Sequence, residues 1–244
     1  MGDGGRSEEA VVIGEAPDPA NGRCNSSSAA QPLFPGRTAG SAPLALGVLV
    51  SGGGTNLQAL LDASVDGTLN ARVAVVISDK ADAFGLERAR RAGVAAVHVD
   101  PRAYADRVKF NEALRDELTA HGVELVVMAG YMRLLGSEVL DAFPSRVVNL
   151  HPALLPAFVG AHAIADAFAH GVKVTGVTVH LADEEFDRGP IIAQEAVAVA
   201  EHDTLESLEE RIHAVEHRLL PAAIAHIADG RVRLDGRIIR IDQG

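Results

Sequence analysis

Apolar runs alternate with helical patterns along most of the chain from Leu44 onward. The run LALGVLV ends in SGGGTN and leads into TNLQALLDA, which is typical of a buried strand, a glycine turn and a helix. The alternation continues through RVAVVIS and FGLERARRAG, then AAVHV and a long amphipathic helix to about Leu118, and then ELVVMAG, SEVLDAF and RVVNL. Repeated strand–helix units predict an α/β fold built on a doubly wound, largely parallel sheet.

The pattern changes after Leu150. HPALLPAFVGAH is a long irregular stretch, and loops of this length are often functional. From Lys173 onward, TGVTVHL and IIAQEAVAV alternate with a period of two, which indicates strands with one exposed face in a mixed or antiparallel C-terminal extension of the sheet. Asp203 and Glu206 predict a capping box for the next helix, and the Asp-Gly pair in RVRLDGRIIRI predicts a hairpin.

Residues 1–42 differ in composition from the rest of the chain. They are rich in Gly, Ser, Ala and Pro and have no sustained strand or helix period, so they cannot bury enough surface to offset the entropy of ordering. We therefore expect a disordered N-terminal tail over residues 1–42 and one folded domain over residues 43–244. Removal of the tail is expected to leave folding and activity nearly unchanged.

The charge and cysteine content limit the partners of the chain. The formal net charge is −11 and the pI is near 5.3, so no global positive field attracts a polyanion, and nucleic acid is not expected as a partner. The single cysteine, Cys24, rules out an intrachain disulfide and a multi-cysteine metal site. The chain lacks a secretory signal pattern and a membrane-length apolar run, so we expect a cytoplasmic protein.

The glycine-rich segment 51–56 is the first candidate ligand site. It leads from a strand to a helix N-terminus, where free N–H groups and the helix dipole favour an anion. Leu57 stands where the dinucleotide fingerprint has its third glycine, and the segment lacks the Gly-Lys-Ser/Thr of nucleoside triphosphate loops. A monophosphate is therefore favoured over a dinucleotide, with a simple tight turn as the alternative.

The pair Asn149 and His151 is the second candidate. It ends a buried strand at the carboxyl edge of the sheet, where open α/β sheets bind ligands. Residues two apart in an extended chain point to the same side, so an amide and an imidazole could hold one developing oxyanion together. The acidic turn DEEFDRGP is a solvated loop unless the fold carries Asp187 to His151.

Seven ordered segments of the chain resemble phosphoribosylglycinamide formyltransferases, the folate-dependent enzymes of purine synthesis. The segments are VLVSGGGTNLQALL, ADAFGLERARRAGV, MAGYMRLL, VVNLHPALLP, VTGVTVHL, DRGPIIAQ and VEHRLLP. Each piece is weakly specific, but the ordered set is highly specific and covers about Leu44 to Gly230. The resemblance implies a Rossmann-like formyltransferase domain over residues 43–244.

The resemblance implies three catalytic residues and a site for the substrate phosphate. The catalytic residues would be Asn149, His151 and Asp187. The turn that holds the phosphate would be Gly54, Thr55 and Asn56. Glu216 would contact the ribonucleotide.

The resemblance also implies a folate site, with 10-formyltetrahydrofolate as co-substrate and no metal. The backbone and apolar side chains of one segment would lie between the pterin and the other substrate, with Arg107 and Asn149 nearby. The residues of this segment are Tyr131, Met132, Arg133, Leu134 and Leu135.

Three positions depart from the family pattern. Ala157 and Val159 stand in the loop after the His motif, where the family commonly has a Lys or Arg and then a Pro, which puts the closing role of this loop in question. Gly53 stands where a polar residue often occurs, which matters little if the backbone binds the phosphate.

The implied reaction is acyl transfer. The neutral amine of glycinamide ribonucleotide would attack the formyl carbon on folate N10, and Asn149 with protonated His151 would stabilise the resulting oxyanion. Asp187 would favour the imidazolium and relay the amine proton through water. The partners would be these two small molecules, and the oligomeric state, a homodimer included, stays open.

Several other functions share parts of this pattern. Formyltetrahydrofolate hydrolases carry an N-terminal regulatory domain that residues 1–42 cannot supply, and methionyl-tRNA formyltransferases append an RNA-binding barrel for which the residues beyond Gly230 leave no room. A nicotinamide dehydrogenase or a non-catalytic binding module are the alternatives from other classes.

Overall fold

The computed structural model describes residues 30–243. The strands in this range are β1 Gln31–Pro32, β2 Leu44–Val50, β3 Ala71–Ser78, β4 Ala95–His98, β5 Leu125–Met128, β6 Val147–His151, β7 Val174–Leu181, β8 Ile191–Ala198, β9 Val232–Asp235 and β10 Ile238–Ile241. The α-helices are α1 Thr55–Asp66, α2 Phe84–Arg91, α3 Arg107–Ala120, α4 Ser137–Leu140, α5 Ala163–His170 and α6 Leu205–Ala228. None of these helices is long and apolar enough to cross a membrane.

Seven strands form the main sheet in the order β4-β3-β2-β5-β6-β7-β8. The first five in that order are mutually parallel, and β7 and β8 are antiparallel to their neighbours. This confirms the predicted doubly wound, largely parallel sheet with an antiparallel C-terminal extension. The expected exposed face is present in the edge strand β8 but not in β7, which lies between β6 and β8 and is buried from Thr175 to Leu181. A smaller sheet, in the order β1-β9-β10, contains the predicted hairpin.

Both faces of the main sheet are covered by helices. Along the fully buried strand β2, Leu46 and Val48 pack in the apolar layer that includes Leu60 of α1, and Leu49 packs in the opposite layer with Leu114 of α3. Alternate residues of a strand face opposite sides of a sheet, which explains why this strand is a continuous apolar run. Burial of each such leucine contributes roughly 1.5–3 kcal/mol.

The start of α6 differs from the predicted cap by one residue. Thr204 is the N-cap: its hydroxyl accepts from the backbone N–H of Ser207 at 3.2 Å, and the Ser207 hydroxyl accepts from the Thr204 N–H at 3.1 Å. The predicted pair of Asp203 and Glu206 does not form this box. Asp203 is instead paired with Arg211 and accepts a hydrogen bond from Ser207 Oγ at 2.9 Å. The Ser207 hydroxyl both donates and accepts, so it can take the role usually filled by Glu or Gln.

Residues 30–42 also differ from the expectation of a disordered tail. Strand β1 pairs with β9, Leu33 and Phe34 pack against the main core, and Arg37 Nε donates to the Ala228 carbonyl at 2.7 Å. Gly230, at φ 71°, allows this approach, because a Cβ there would lie 2.0 Å from the Arg37 carbonyl oxygen. These contacts are with the main core, the end of α6 and the C-terminal hairpin, all of them distant in the sequence, so local composition could not indicate them. Residues 1–29 of the expected tail lie outside the described residues.

We predict that residues 30–42 stabilise the domain. A chain lacking residues 1–42 should melt about 5–10 °C below a chain lacking residues 1–29, because it loses the apolar contacts of Leu33 and Phe34. Thermal unfolding of the two truncated proteins, followed by circular dichroism, tests this. Equal melting temperatures would contradict it.

Candidate active site

The candidate site lies at the carboxyl edge of the main sheet. Strands β2, β5 and β6 are parallel neighbours, so their carboxyl ends meet there. The strand order reverses at β2, which has β3 on one side and β5 on the other, and such switch points form ligand crevices. The glycine turn follows β2, segment 131–135 follows β5, and Asn149 and His151 end β6.

The structure brings Asn149, His151 and Asp187 together. Asn149 Nδ2 donates to Asp187 Oδ1 at 3.1 Å, and His151 Nδ1 lies 3.4 Å from Asp187 Oδ2. β7 runs antiparallel to β6 and ends with Leu181 opposite Val148, and the turn that follows carries Asp187 back to Asn149 and His151. His151 and Asp187 are both buried, so their interaction is little screened by solvent.

Backbone geometry and a loop N–H hold Asp187 in place. Asp187 has φ 55°, a left-handed conformation that is uncommon outside glycine. The backbone N–H of Gly160 donates to Asp187 Oδ2 at 3.2 Å, which ties the acidic turn to the irregular loop after β6. His180 of β7 lies opposite Asn149 in the strand register, and its Nε2 is 3.6 Å from Asp187 Oδ1.

These neighbours keep Asp187 ionised. Burial alone would raise the pKa of the carboxyl, but the contact with His180, the charge of protonated His151 and the Gly160 N–H outweigh it and lower the pKa below its ordinary value. At neutral pH Asp187 is therefore a carboxylate that can hold a cation or accept a proton.

Both ring nitrogens of His151 face oxygen acceptors. His151 Nε2 lies 2.8 Å from the carbonyl oxygen of Phe158, and Nδ1 faces Asp187. A protonated imidazole, with an N–H on each nitrogen, satisfies both acceptors. Phe158 has φ 51° and lies between Ala157 and Val159, the two positions that depart from the family pattern. Val159, Asp187 and the acidic turn line a cavity of about 840 Å³ beside the loop.

The glycine turn is shaped by close contact with α2. Gly54 has φ 68°, and a Cβ there would lie 2.7 Å from the Gly85 Cα atom, so the turn admits only glycine without rearrangement. Thr55 is the first residue of α1, which lacks a side-chain cap, so its first-turn N–H groups are left for a ligand. Arg88 Nε donates to the Gly53 carbonyl at 2.8 Å and adds positive charge beside the turn.

Asn56 and Glu216 form a buried polar pair below this turn. Asn56 Nδ2 donates to Glu216 Oε2 at 3.0 Å, and Asn56 Oδ1 is buried without a hydrogen-bond partner. Burial raises the pKa of Glu216, and this effect outweighs the Asn56 hydrogen bond and the charge of His213, which lower it. A buried polar oxygen without a partner is costly, and a ligand hydroxyl could satisfy it.

Segment 131–135 is fixed at both ends and exposed between them. Tyr131 and Leu135 are buried, whereas Met132 is 61% exposed. Arg133 Nε donates to Asp79 Oδ2 at 2.7 Å. Arg107, at the start of α3, donates to the backbone carbonyls of Leu134 and Leu135 at 3.3 and 3.4 Å, so it supports the segment as well as lying beside it.

Sequence reasoning missed His180, Arg88 and Asp79. The alternation in TVHL assigns His180 to one face of a strand, but its position opposite Asn149 depends on the register of β6 and β7, which the sequence does not give. Arg88 belongs to an arginine-rich helix in which no single residue stands out, and Asp79 pairs with a residue on another loop. Within residues 30–243, no group of three or more His, Cys, Asp or Glu side chains is arranged to hold a metal ion.

We predict that Glu216→Gln stabilises the protein at neutral and higher pH. The folded-state pKa of Glu216 is raised, so the folded state binds this proton more tightly than the unfolded state, and stability is lost as pH rises above the unfolded value of 4.5. Gln keeps the acceptor for Asn56 without the charge. The variant should unfold at a higher temperature than the wild type at pH 8, and the difference should vanish below pH 4.5. A constant difference at all pH values would contradict this.

Comparison with known proteins identifies the family of the chain. The sequence model described as Formyl transferase matches residues 45–224. The phosphoribosylglycinamide formyltransferase of Mycobacterium tuberculosis is 47% identical over 203 residues, which cover 83% of this chain and 94% of that one. The protein of the same name from Bacillus subtilis is 42% identical over 180 residues, covering 74% and 92%. The crystal structure of glycinamide ribonucleotide transformylase 1 from Symbiobacterium toebii shares 55% identity and a TM-score of 0.82, covering 83% of this chain and 96% of that one. The chain belongs to the formyl transferase family.

Proposed function

We propose that this protein is a phosphoribosylglycinamide formyltransferase that moves the formyl group of 10-formyltetrahydrofolate to the amine of glycinamide ribonucleotide in purine biosynthesis. The family and the names of the relatives support this assignment. The observation that carries it in the chain itself is the convergence of Asn149, His151 and Asp187 at the sheet edge that also carries a phosphate-type turn and segment 131–135. Residues 43–244 would form the transferase domain, with residues 30–42 packed against it.

The ribonucleotide phosphate binds at the glycine turn. The backbone N–H groups at the start of α1, which have no side-chain cap, and the Arg88 guanidinium favour a phosphate dianion there. Gly54, Thr55 and Asn56 supply the backbone of this site. Asn56 Oδ1 and the Glu216 carboxyl lie below the turn and suit the ribose hydroxyl groups, which donate hydrogen bonds to oxygen acceptors.

The folate binds along segment 131–135. The exposed Met132 side chain offers an apolar contact to a flat ring, and backbone groups of the segment suit a pterin, which presents both donors and acceptors. Because segment 131–135 follows β5, the neighbour of β6, a ligand bound there would lie beside Asn149. Arg107 would contribute a positive charge at the folate end of the site.

Formyl transfer places negative charge on the formyl oxygen. The substrate amine attacks the formyl carbon, the C=O electron pair moves to oxygen, and the tetrahedral intermediate collapses as the bond to folate N10 breaks. Asn149 donates an amide N–H to this oxyanion and His151 donates a charged N–H. In the resting site His151 Nε2 faces the Phe158 carbonyl, so the oxyanion must replace this carbonyl as the acceptor of the Nε2 hydrogen bond.

Asp187 serves the reaction in two ways. Its carboxylate favours the cationic form of His151, and its lowered pKa keeps it ionised at neutral pH. The attacking amine loses a proton as the new C–N bond forms, and folate N10 gains one as it leaves. The cavity beside Asp187 has room for a water molecule that, with the carboxylate, carries the proton from the amine to N10.

The direct experiment is an assay of formyl transfer. Purified protein is mixed with 10-formyltetrahydrofolate and glycinamide ribonucleotide, and the absorbance change on deformylation of the folate is recorded. The reaction should require both substrates. Formyl release without the ribonucleotide would indicate a hydrolase, and no change with both present would refute the proposed function.

We predict that Asn149→Ala, His151→Ala and Asp187→Ala each lower kcat by roughly 10²–10³-fold while changing either KM much less, since their interactions strengthen in the transition state. The losses in double variants should not add, because the three groups act as one unit. Steady-state kinetics with each substrate varied gives both parameters. His121→Ala, which alters a partly exposed histidine just after α3 at the opposite edge of the sheet, is the control. Asp187→Asn with near-normal kcat would refute the relay role.

We predict that Gly54→Ala raises KM for glycinamide ribonucleotide by about tenfold and leaves KM for the folate nearly unchanged. The added Cβ collides with Gly85 and shifts the N–H groups of the turn. Gly67→Ala is the matched control, because Gly67 also has a left-handed φ, of 81°, but a Cβ there meets nothing within 4 Å. If both variants gave the same KM values, the phosphate site would lie elsewhere.

A further inference from the structure

A buried carboxylate joins the two halves of the candidate site. Asp79 follows β3, and its side chain is only 3% exposed. Asp79 Oδ1 accepts from the Ser51 hydroxyl at 2.6 Å, and Oδ2 accepts from Arg133 Nε at 2.7 Å. One carboxylate therefore engages the residue that opens the glycine turn and a residue of segment 131–135.

Ser51 connects the same two segments through its own atoms. Its hydroxyl accepts from the backbone N–H of Met132 at 3.1 Å, and its backbone N–H donates to the Gly130 carbonyl at 3.1 Å. The hydroxyl proton goes to Asp79, so the lone pairs are left to accept from Met132. Both hydrogen bonds fix the start of the glycine turn relative to segment 131–135.

The charge pair is asymmetric in its exposure. The Arg133 side chain is 48% exposed and its guanidinium lies over the Phe110 ring at 5.8 Å, whereas the Asp79 side chain is almost fully buried. A buried carboxylate without its charged partner is strongly disfavoured, so Asp79 holds Arg133, and with it the neighbouring backbone, in one position. Met132 has no comparable contact of its side chain with the core, since it is mostly exposed.

We propose that Asp79 is a positioning residue that sets the spacing between the folate segment and the phosphate turn. The inference rests on the proposed function, because it assigns segment 131–135 to the folate and the glycine turn to the ribonucleotide. The two reactants bind to different segments, and their separation decides whether the amine meets the formyl carbon. Asp79 and Ser51 fix that separation through four contacts, and neither residue needs to touch a ligand.

The test uses Asp79→Asn, which keeps the size of the side chain and an acceptor for Ser51 but removes the charge that holds Arg133. The matched control is Asp203→Asn, since the side chain of Asp203 is also only 6% exposed and is bonded to an arginine and to a serine hydroxyl, but it lies at the start of α6. Measurements are kcat, both KM values, the Kd of a folate analogue by titration without ribonucleotide, and the melting temperature.

Asp79→Asn should weaken folate-analogue binding by about tenfold and lower kcat by about tenfold, while KM for the ribonucleotide changes less than about twofold. Asp203→Asn should lower the melting temperature and leave both KM values and kcat unchanged. Ser51→Ala, which removes the acceptor for the Met132 N–H, should weaken folate binding in the same direction. The Ser51→Ala variant keeps the inference testable if Asp79→Asn does not fold.

Wild-type folate affinity and kcat in both Asp79→Asn and Ser51→Ala would overturn the inference, and so would an equal loss in Asp203→Asn. A failure of the proposed function would be detected independently, by measurements on the wild-type protein. If the wild type transfers formyl groups and the variants do too at the normal rate, only the positioning role is wrong. If the wild type neither binds the folate analogue nor transfers formyl groups, both proposals fail.

Discussion

The antiparallel pairing of β7 with β6 is the constraint on which the candidate site depends. β7 runs back along β6, from Thr178 opposite His151 to Leu181 opposite Val148. The chain therefore leaves β7 beside the start of β6, and the turn that follows carries Asp187 back to Asn149 and His151. The register of the pairing also sets His180 opposite Asn149. A shift of this register by one residue would turn His180 away from Asn149, since alternate residues face opposite sides. The antiparallel register and the turn after β7 together assemble a site whose parts are far apart in the chain.

The order and type of the strands and helices could be predicted from the sequence because they depend on local periodicity. The apolar run of β2 and the period of two in β8 each have a direct physical cause, burial on two faces and burial on one. The period of two in β7 does not, because this strand is buried on both faces from Thr175 to Leu181. The N-cap of α6 lies one residue after the predicted one, because Thr204 and Ser207 can form the capping box at the same helix end as Asp203 and Glu206. Local pattern does not decide between such neighbours.

The site was predictable in part. The position of Asn149 and His151 at a strand end follows from the alternation of strands and helices, and the role of Asp187 followed from resemblance rather than from physics. Asp79, Arg88 and His180 act through partners on other segments, so nothing in their own neighbourhood marks them. The same reason applies to residues 30–42, which are ordered by a hairpin at the far end of the sequence. Local sequence patterns predict helices and strands, whereas contacts between residues far apart in the sequence become evident only in the folded structure.

The small sheet β1-β9-β10 has a consequence for the topology of the backbone. Gln31 and Ile239 both pair with Leu234, one on each side, so the two outer strands lie about 10 Å apart across a single shared strand. The described chain therefore comes close to a closed ring, with both of its ends on the same small sheet. A short peptide linker could join those ends, and new termini could be opened at an exposed turn such as the one at Gly67, which would give a circular permutant with the same packing.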